Sequence, residues 1–170
     1  MQRDFSLEKR RPDVITVNLG TDDYAFGNPS LATYQANCKE FVSFVRSKHP
    51  YATIFCLCPL QYSLNGPLSG TNTTLQDGVH SEVQARDKKW ETMRDGVRGA
   101  VEALNDPKIV YIATSTPDVP WMDGATEFSD WTHPTVDGHA HFAKLLLEVL
   151  TPIVRRNHPF ALPMPNPVIV

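Results

Sequence analysis

At 170 residues and 41% hydrophobic, the chain is long enough to build one domain around a packed core. A net charge of −3 leaves no electrostatic footprint for nucleic acid. No apolar run approaches the ~18–20 residues that span a bilayer, and Met1 to Arg11 are polar, without the apolar centre of a secretion signal.

Lys9-Arg10-Arg11 reads as a solvated approach to the first strand. Residues 13–19 form a continuous apolar run with Val and Ile, which predicts a strand buried on both faces. Asn28-Pro29-Ser30 supplies helix-start chemistry, and Leu31, Tyr34, Cys38, Phe41, Val42 and Val45 then recur at helical spacing. A helix over 30–48, stopped by His49-Pro50, is expected. Residues 52–58 predict a second strand, ended by Pro59. Cys56 and Cys58 inside it read as small buried hydrophobes, and with Cys38 they make an odd set that cannot all pair. The stretch 59–80 is rich in Gly, Asn, Ser and Thr and too long for an ordinary connection. Ser81 with Gln84 has the pattern of a capping box, and Trp90, Met93, Val97, Val101 and Leu104 mark one face of a helix over 82–104. A third strand is expected at 108–113. A polar loop over 114–132 leads to a last helix, 135–151, carrying Val136, Ala140, Ala143, Leu146, Leu147 and Leu150. Pro159, Pro163, Pro165 and Pro167 predict an extended or disordered tail over 157–170.

Strands alternating with helices predict a parallel α/β sheet with right-handed crossovers. Ligands in such sheets bind beyond the carboxyl ends of the strands, the edge from which loops 20–28, 59–80 and 114–133 leave. Two of these loops hold recognisable chemistry. Gly20-Thr21-Asp22-Asp23 is a Gly-containing polar turn delivered by the first strand. Asp130-Trp131-Thr132-His133, followed by Pro134 and an amphipathic run, sets a carboxylate three residues before an imidazole. That is the arrangement of an orienting acid and a general base.

Together the two segments resemble blocks III and V of the SGNH (GDSL) esterases and lipases, and they look most like the carbohydrate-acetyl-esterase branch. The resemblance runs from about Pro12 to the last helix. It implies a three-layer α/β/α, flavodoxin-like fold with a parallel sheet, N-terminally truncated here, with a partial hydrolase domain over 1–156 followed by the tail. It also implies roles: His133 as the general base toward a serine hydroxyl, Asp130 as the group that orients the imidazole, and Gly20 at the oxyanion turn, with Asp23 bracing that turn. No cofactor is implied. The implied substrate is a small acyl ester of a carbohydrate. Members of the branch are often secreted, and nothing in this sequence directs export.

Two departures from the family pattern matter. Asp22 stands where the family has an Asn that donates to the oxyanion. An ionised carboxylate has no proton to donate, and losing one such donor typically costs ~2.7–4 kcal/mol of transition-state stabilisation. The Gly-Asp-Ser nucleophile block is also missing. Two further βα units would need about 60 residues, and only twelve precede Asp13. Among the serines, Ser6 follows no strand and Ser69 lies in a Gly-rich loop without a following helix. Ser115 and Ser129 lack the strand–turn–helix elbow that activates a serine.

His133, His139, His141, Asp130 and Asp137 suggest a metal site only at first sight, because His139 and His141 are two apart on a helix and point in different directions. No metal is expected. Tyr24, Phe26, Trp121 and Trp131 lie in the site loops, either stacking on a sugar or walling an acyl pocket, or else filling core gaps beneath the loops. Three readings follow: an ester hydrolase represented by its C-terminal part and inactive alone, a catalytically dead relative that binds sugar or protein, or a truncated gene product. The unpaired edge of the 13–19 strand is expected to invite self-association.

Overall fold

The run Thr53-Ile54-Phe55-Cys56-Leu57 leaves nothing for solvent, and all five residues are buried in the middle strand of a parallel sheet. The computed structural model describes residues 11–23, 27–60, 78–116, 119–123, 126–129 and 133–159, with backbone alone at 78–89, 115, 116, 119 and 120. Strands β1 (Val14–Val17), β2 (Thr53–Leu57) and β3 (Ile109–Ile112) pair in the order β1-β2-β3, both pairs parallel. Val14 stands opposite Thr53, and Ile54 opposite Ile109. Helices α1 (Leu31–Lys48), α2 (Gly78–Leu104) and α3 (Val136–Asn157) cover the sheet.

Alternation along β2 supplies both cores. Ile54, Cys56 and Cys58 face α1 and α2, where they meet Tyr34, Val42 and Trp90. Phe55 and Leu57 face α3 and pack with Leu146, Leu150 and Ile153. The sheet is therefore a middle layer between helices, as the alternation of the sequence predicts.

Several elements differ from expectation. Strand β1 is half-buried rather than buried, with Thr16 exposed, because among the described residues it lies at the end of the sheet order with β2 as its one neighbour. Leu31 and Phe41 of α1 are likewise exposed, while Tyr34 and Val42 form its buried stripe. Helix α2 begins at Gly78, so Ser81 lies inside it and no capping box starts there; no proline between 78 and 81 blocks the extra turn. A two-stranded antiparallel ribbon, β4 (Ser115–Thr116) with β5 (Val119–Pro120), occupies part of the expected polar loop. Helix α3 runs past the expected end, through Pro152 to Asn157. Pro152 has no N–H for the Glu148 carbonyl, and Thr151 Oγ1 donates to the Leu147 carbonyl at 2.6 Å. The helix persists because Ile153 and Val154 bury against the second core. Its apolar contacts come from Phe142, Leu146 and Leu150, whereas Val136 and Leu147 face outward.

The amino end of the sheet is closed by short turns. Arg46 Nη1 donates to the carbonyls of His49 and Ala52 at 3.1 and 2.7 Å. Its Nε lies 2.8 Å from Asp106 Oδ2 as a charge contact rather than an aligned hydrogen bond. Asp106 in turn accepts from Lys108 N–H at 2.8 Å. The end of α3 is tied to the same place: Asn157 Nδ2 donates to Thr53 Oγ1 at 3.1 Å, and His158 Nε2 lies 3.0 Å from that oxygen.

Candidate active site

The turn after β1 is held from below. Gly20 is buried and has φ +126°, a conformation that favours glycine. A Cβ there would lie 2.0 Å from Tyr34 Oη. Tyr34 Oη donates to the Leu19 carbonyl at 2.9 Å, so the ring from α1 fixes the turn where the strand ends. Gly96 of α2 admits the other side of the same ring, since a Cβ there would meet Tyr34 Cδ1 at 2.4 Å. Burial pushes the Tyr34 hydroxyl well above its usual range, so it stays a donor. Asp22 and Asp23 are exposed, and the Asp23 carbonyl accepts from Asn28 N–H at 2.9 Å, closing the loop before α1. Beneath the turn lies a cavity of about 150 Å³ whose lining includes Val17, Leu19, Asp23, Cys38 and Phe41.

The segment that delivers His133 is braced by Thr135, Glu127 and Gly138, which the sequence reading did not single out, and by Ser129 and His141, which it weighed for other roles. Thr135 is the N-cap of α3, accepting from Gly138 N–H at 3.1 Å. Thr135 N–H donates to the Glu127 carbonyl at 2.8 Å. A Cβ on Gly138 would lie 2.2 Å from that carbonyl oxygen, so only glycine lets the helix approach so closely. Glu127 is tied on both carboxylate oxygens, to His141 Nδ1 and to Asp123 N–H, each at 2.6 Å. The His133 carbonyl accepts from Ser129 N–H and Ser129 Oγ at 2.8 and 2.9 Å. The Ser129 hydroxyl is therefore engaged in holding the His133 backbone.

Gly20 follows the carboxyl end of β1 directly. Helix α3 ends at the start of β2, where His158 meets Thr53, and it begins three residues after His133. Asp130, Trp131 and Tyr24 lie outside the described residues, as do Phe26, Ser6 and Ser69. Trp121 packs against Phe142 of α3 with ring centroids 6.0 Å apart. His141 pairs with Glu127, and among the described residues no three His, Cys, Asp or Glu side chains gather as a metal site would require. Among the same residues, no helix is long and apolar enough to cross a membrane.

Sequence signals for the bracing were present but local only in part. Thr135 before an acidic first turn is a recognisable cap, whereas Glu127 meets His141 across fourteen positions, beyond any local pattern.

A parallel sheet with a glycine turn and a histidine segment at its carboxyl edge is the framework of the SGNH hydrolases. Residues 1–141 match the GDSL-like lipase/acylhydrolase family, and the chain belongs to it. The chain is also 28% identical over 144 residues to the cellulase/esterase CelE of Acetivibrio thermocellus, covering 84% of this chain and 14% of that protein. In fold it is similar to an active-site mutant of a family two carbohydrate esterase from Clostridium thermocellum. That likeness has a TM-score of 0.59 at 24% identity over 93% of this chain and 39% of that one. A family two carbohydrate esterase from Cellvibrio japonicus gives a TM-score of 0.59 at 23% identity, over 90% and 36%. The chain thus spans well under half the length of these relatives.

Proposed function

We propose that this chain supplies the base-and-acid part of a serine ester hydrolase of SGNH type, acting on small acyl esters of carbohydrate. The reading is supported by the chain's membership of the GDSL family, by the buried glycine turn that follows β1, and by the capped start of α3 next to His133. In this reading His133 takes the proton of a serine hydroxyl as the serine oxygen attacks the ester carbonyl. The bond to the sugar oxygen then breaks, and His133 returns the proton to it. Water repeats the cycle and frees the acid. Asp130 keeps the imidazole in the right tautomer and stabilises the imidazolium. The serine comes from a segment other than those described here, since Ser129 is engaged with His133 and Ser115 sits in the β4–β5 ribbon. Trp131 and Tyr24 would border the sugar.

The test is an assay of a small activated acetyl ester, with the chain alone and then co-expressed with an SGNH segment carrying Gly-Asp-Ser. Alone, the chain is expected to give only a background rate that His133→Ala leaves unchanged. With the segment, a weak rate should appear, vanish with His133→Ala, and rise with Asp22→Asn as the oxyanion donor is restored. A His133-dependent rate from the chain alone, with a trappable serine adduct, would overturn this division of labour. Asp22 favours a second reading, a sugar-binding relative without turnover. Titration with acetylated and plain oligosaccharides tests it, with saturable binding but no hydrolysis as its signature.

A further inference from the structure

Residues 127–129 and 133–135 lie antiparallel, and His133 belongs to the second of these stretches. Ser129 N–H donates to the His133 carbonyl at 2.8 Å, and Thr135 N–H to the Glu127 carbonyl at 2.8 Å, on either side of a bridge between Phe128 and Pro134. These rungs fix the His133 backbone relative to Glu127. Phe128 is buried, so the paired stretches also have an apolar anchor.

Two sets of contacts dock the pair on α3. One belongs to the junction itself: Thr135 caps the helix, and the Glu127 carbonyl lies against Gly138 in its first turn. A pair held there alone could pivot about residues 134–135. The other is the Glu127 side chain. Its Oε1 lies 2.6 Å from His141 Nδ1 in the second turn of α3, and its Oε2 accepts from Asp123 N–H at 2.6 Å. Glu127 N–H donates to the Asp123 carbonyl at 3.0 Å, and Thr126 Oγ1 donates to Asp123 Oδ2 at 2.8 Å, which closes the turn before the pair. Two donors therefore converge on the Glu127 carboxylate, a group that only accepts. A glutamine in its place would turn an amide N–H toward one of them.

We propose that Glu127 and His141 are positioning residues for His133. The proposal rests on the reading of His133 as the general base. Docking at two successive turns of α3 sets the tilt of the paired stretches, and the rungs carry that tilt to the His133 backbone. The imidazole thereby meets a serine hydroxyl from one direction. Such geometry weighs heavily on rate, since a misplacement of about 1 Å can cost ~100-fold. Both residues lie outside the Asp130 to His133 segment and act through its backbone.

Two variants of the full chain test it at position 141, where the side chain is 43% exposed and substitution spares the core. His141→Asn keeps an N–H donor near the place of Nδ1, whereas His141→Leu removes it. In the chain alone, the Glu127 and Thr135 amides should exchange about tenfold faster with His141→Leu and stay protected with His141→Asn, while the amides of β2 are the same in all three chains. With a Gly-Asp-Ser segment supplied, His141→Leu should lower kcat about tenfold at unchanged KM, and His141→Asn should recover most of it. Equal exchange in His141→Leu and the parent would overturn the tie. Equal kcat in the two variants, or a loss that falls on KM, would overturn the positioning role. A parent chain that gives no rate with the segment would instead overturn the base reading of His133 and this role with it, and exchange would still decide the tie.

Discussion

At the amino end of the sheet the connections 49–52 and 105–108 are short, and Arg46, Asp106 and Thr53 bind them to each other and to the end of α3. At the carboxyl end the chain runs through long loops, and order there depends on a few stapled points: Gly20 on Tyr34, and Thr135 and Glu127 around the start of α3. The first set of ties joins turn to turn, whereas the described ties of the other end are separate: the Gly20 turn, the start of α3, and the exit of β2, where Trp90 Nε1 donates to the Pro59 carbonyl at 3.0 Å. Stability and chemistry are therefore separable in this molecule, which is the usual relation between a scaffold and the loops it presents.

The sharpest way to break that contrast is Gly20→Ala, which tests a staple on the loop side. A Cβ 2.0 Å from a buried hydroxyl, at φ +126°, should cost about 3 kcal/mol or more in urea unfolding. Adding Tyr34→Phe removes the closest atom and should recover part of the loss; a neutral Gly20→Ala would mean the turn is not held. Alkali probes whether the core is as dry toward the loops as at the foot. Burial raises Cys56 and Cys58 from the ordinary 9.0 to about 12. The unfolded chain therefore ionises from pH 9 upward while the folded one keeps its protons. This contribution is complete below pH 9 and is lost between 9 and about 12, at roughly 1.4 kcal/mol per pH unit for each thiol. Unfolding midpoints at pH 8 and 10, with Cys58→Ala as a control, measure it. Arg46→Leu should cost about 2 kcal/mol, because it leaves the carbonyls at 49 and 52 and the Asp106 carboxylate without their partner. His133→Ala should shift stability by no more than about 0.5 kcal/mol, and parity between these two variants would abolish the distinction between the ends. Thr135→Ala should cost about 1 kcal/mol through the lost cap, with a larger proportional effect on any complemented esterase rate than on unfolding.

Much of this was readable in the sequence, for reasons that differ by element. Helix α1 was marked at both ends because Ser30 caps it, accepting from Thr33 N–H at 3.2 Å, and His49-Pro50 stops it. Strand β2 was marked by a run with no polar alternation, and the Gly20 turn follows the strand that the apolar run at 13–19 marks. What was not readable depends on contacts through space. Periodicity in 13–19 reports an apolar strand but not how far helices and loops cover its two faces, so its burial was overstated. Phe41 fits the helical period as well as Val42 does, and only packing decides which faces the sheet. The stack of Gly20, Tyr34 and Gly96 joins three elements, and no single stretch of sequence announces it.

Pro152 has a mechanical consequence for the histidine at the far end of its helix. Rigid helices transmit displacement along their length, and α3 runs from the His133 segment to the tie at Thr53. At Thr151-Pro152 one rung of the ladder is absent and a side-chain hydroxyl competes for another carbonyl. Bending there is softer than in the turns on either side. A helix with such a joint is expected to bend first at residues 151–152 when its foot at Thr53 is displaced, leaving the turns nearer Thr135 straight.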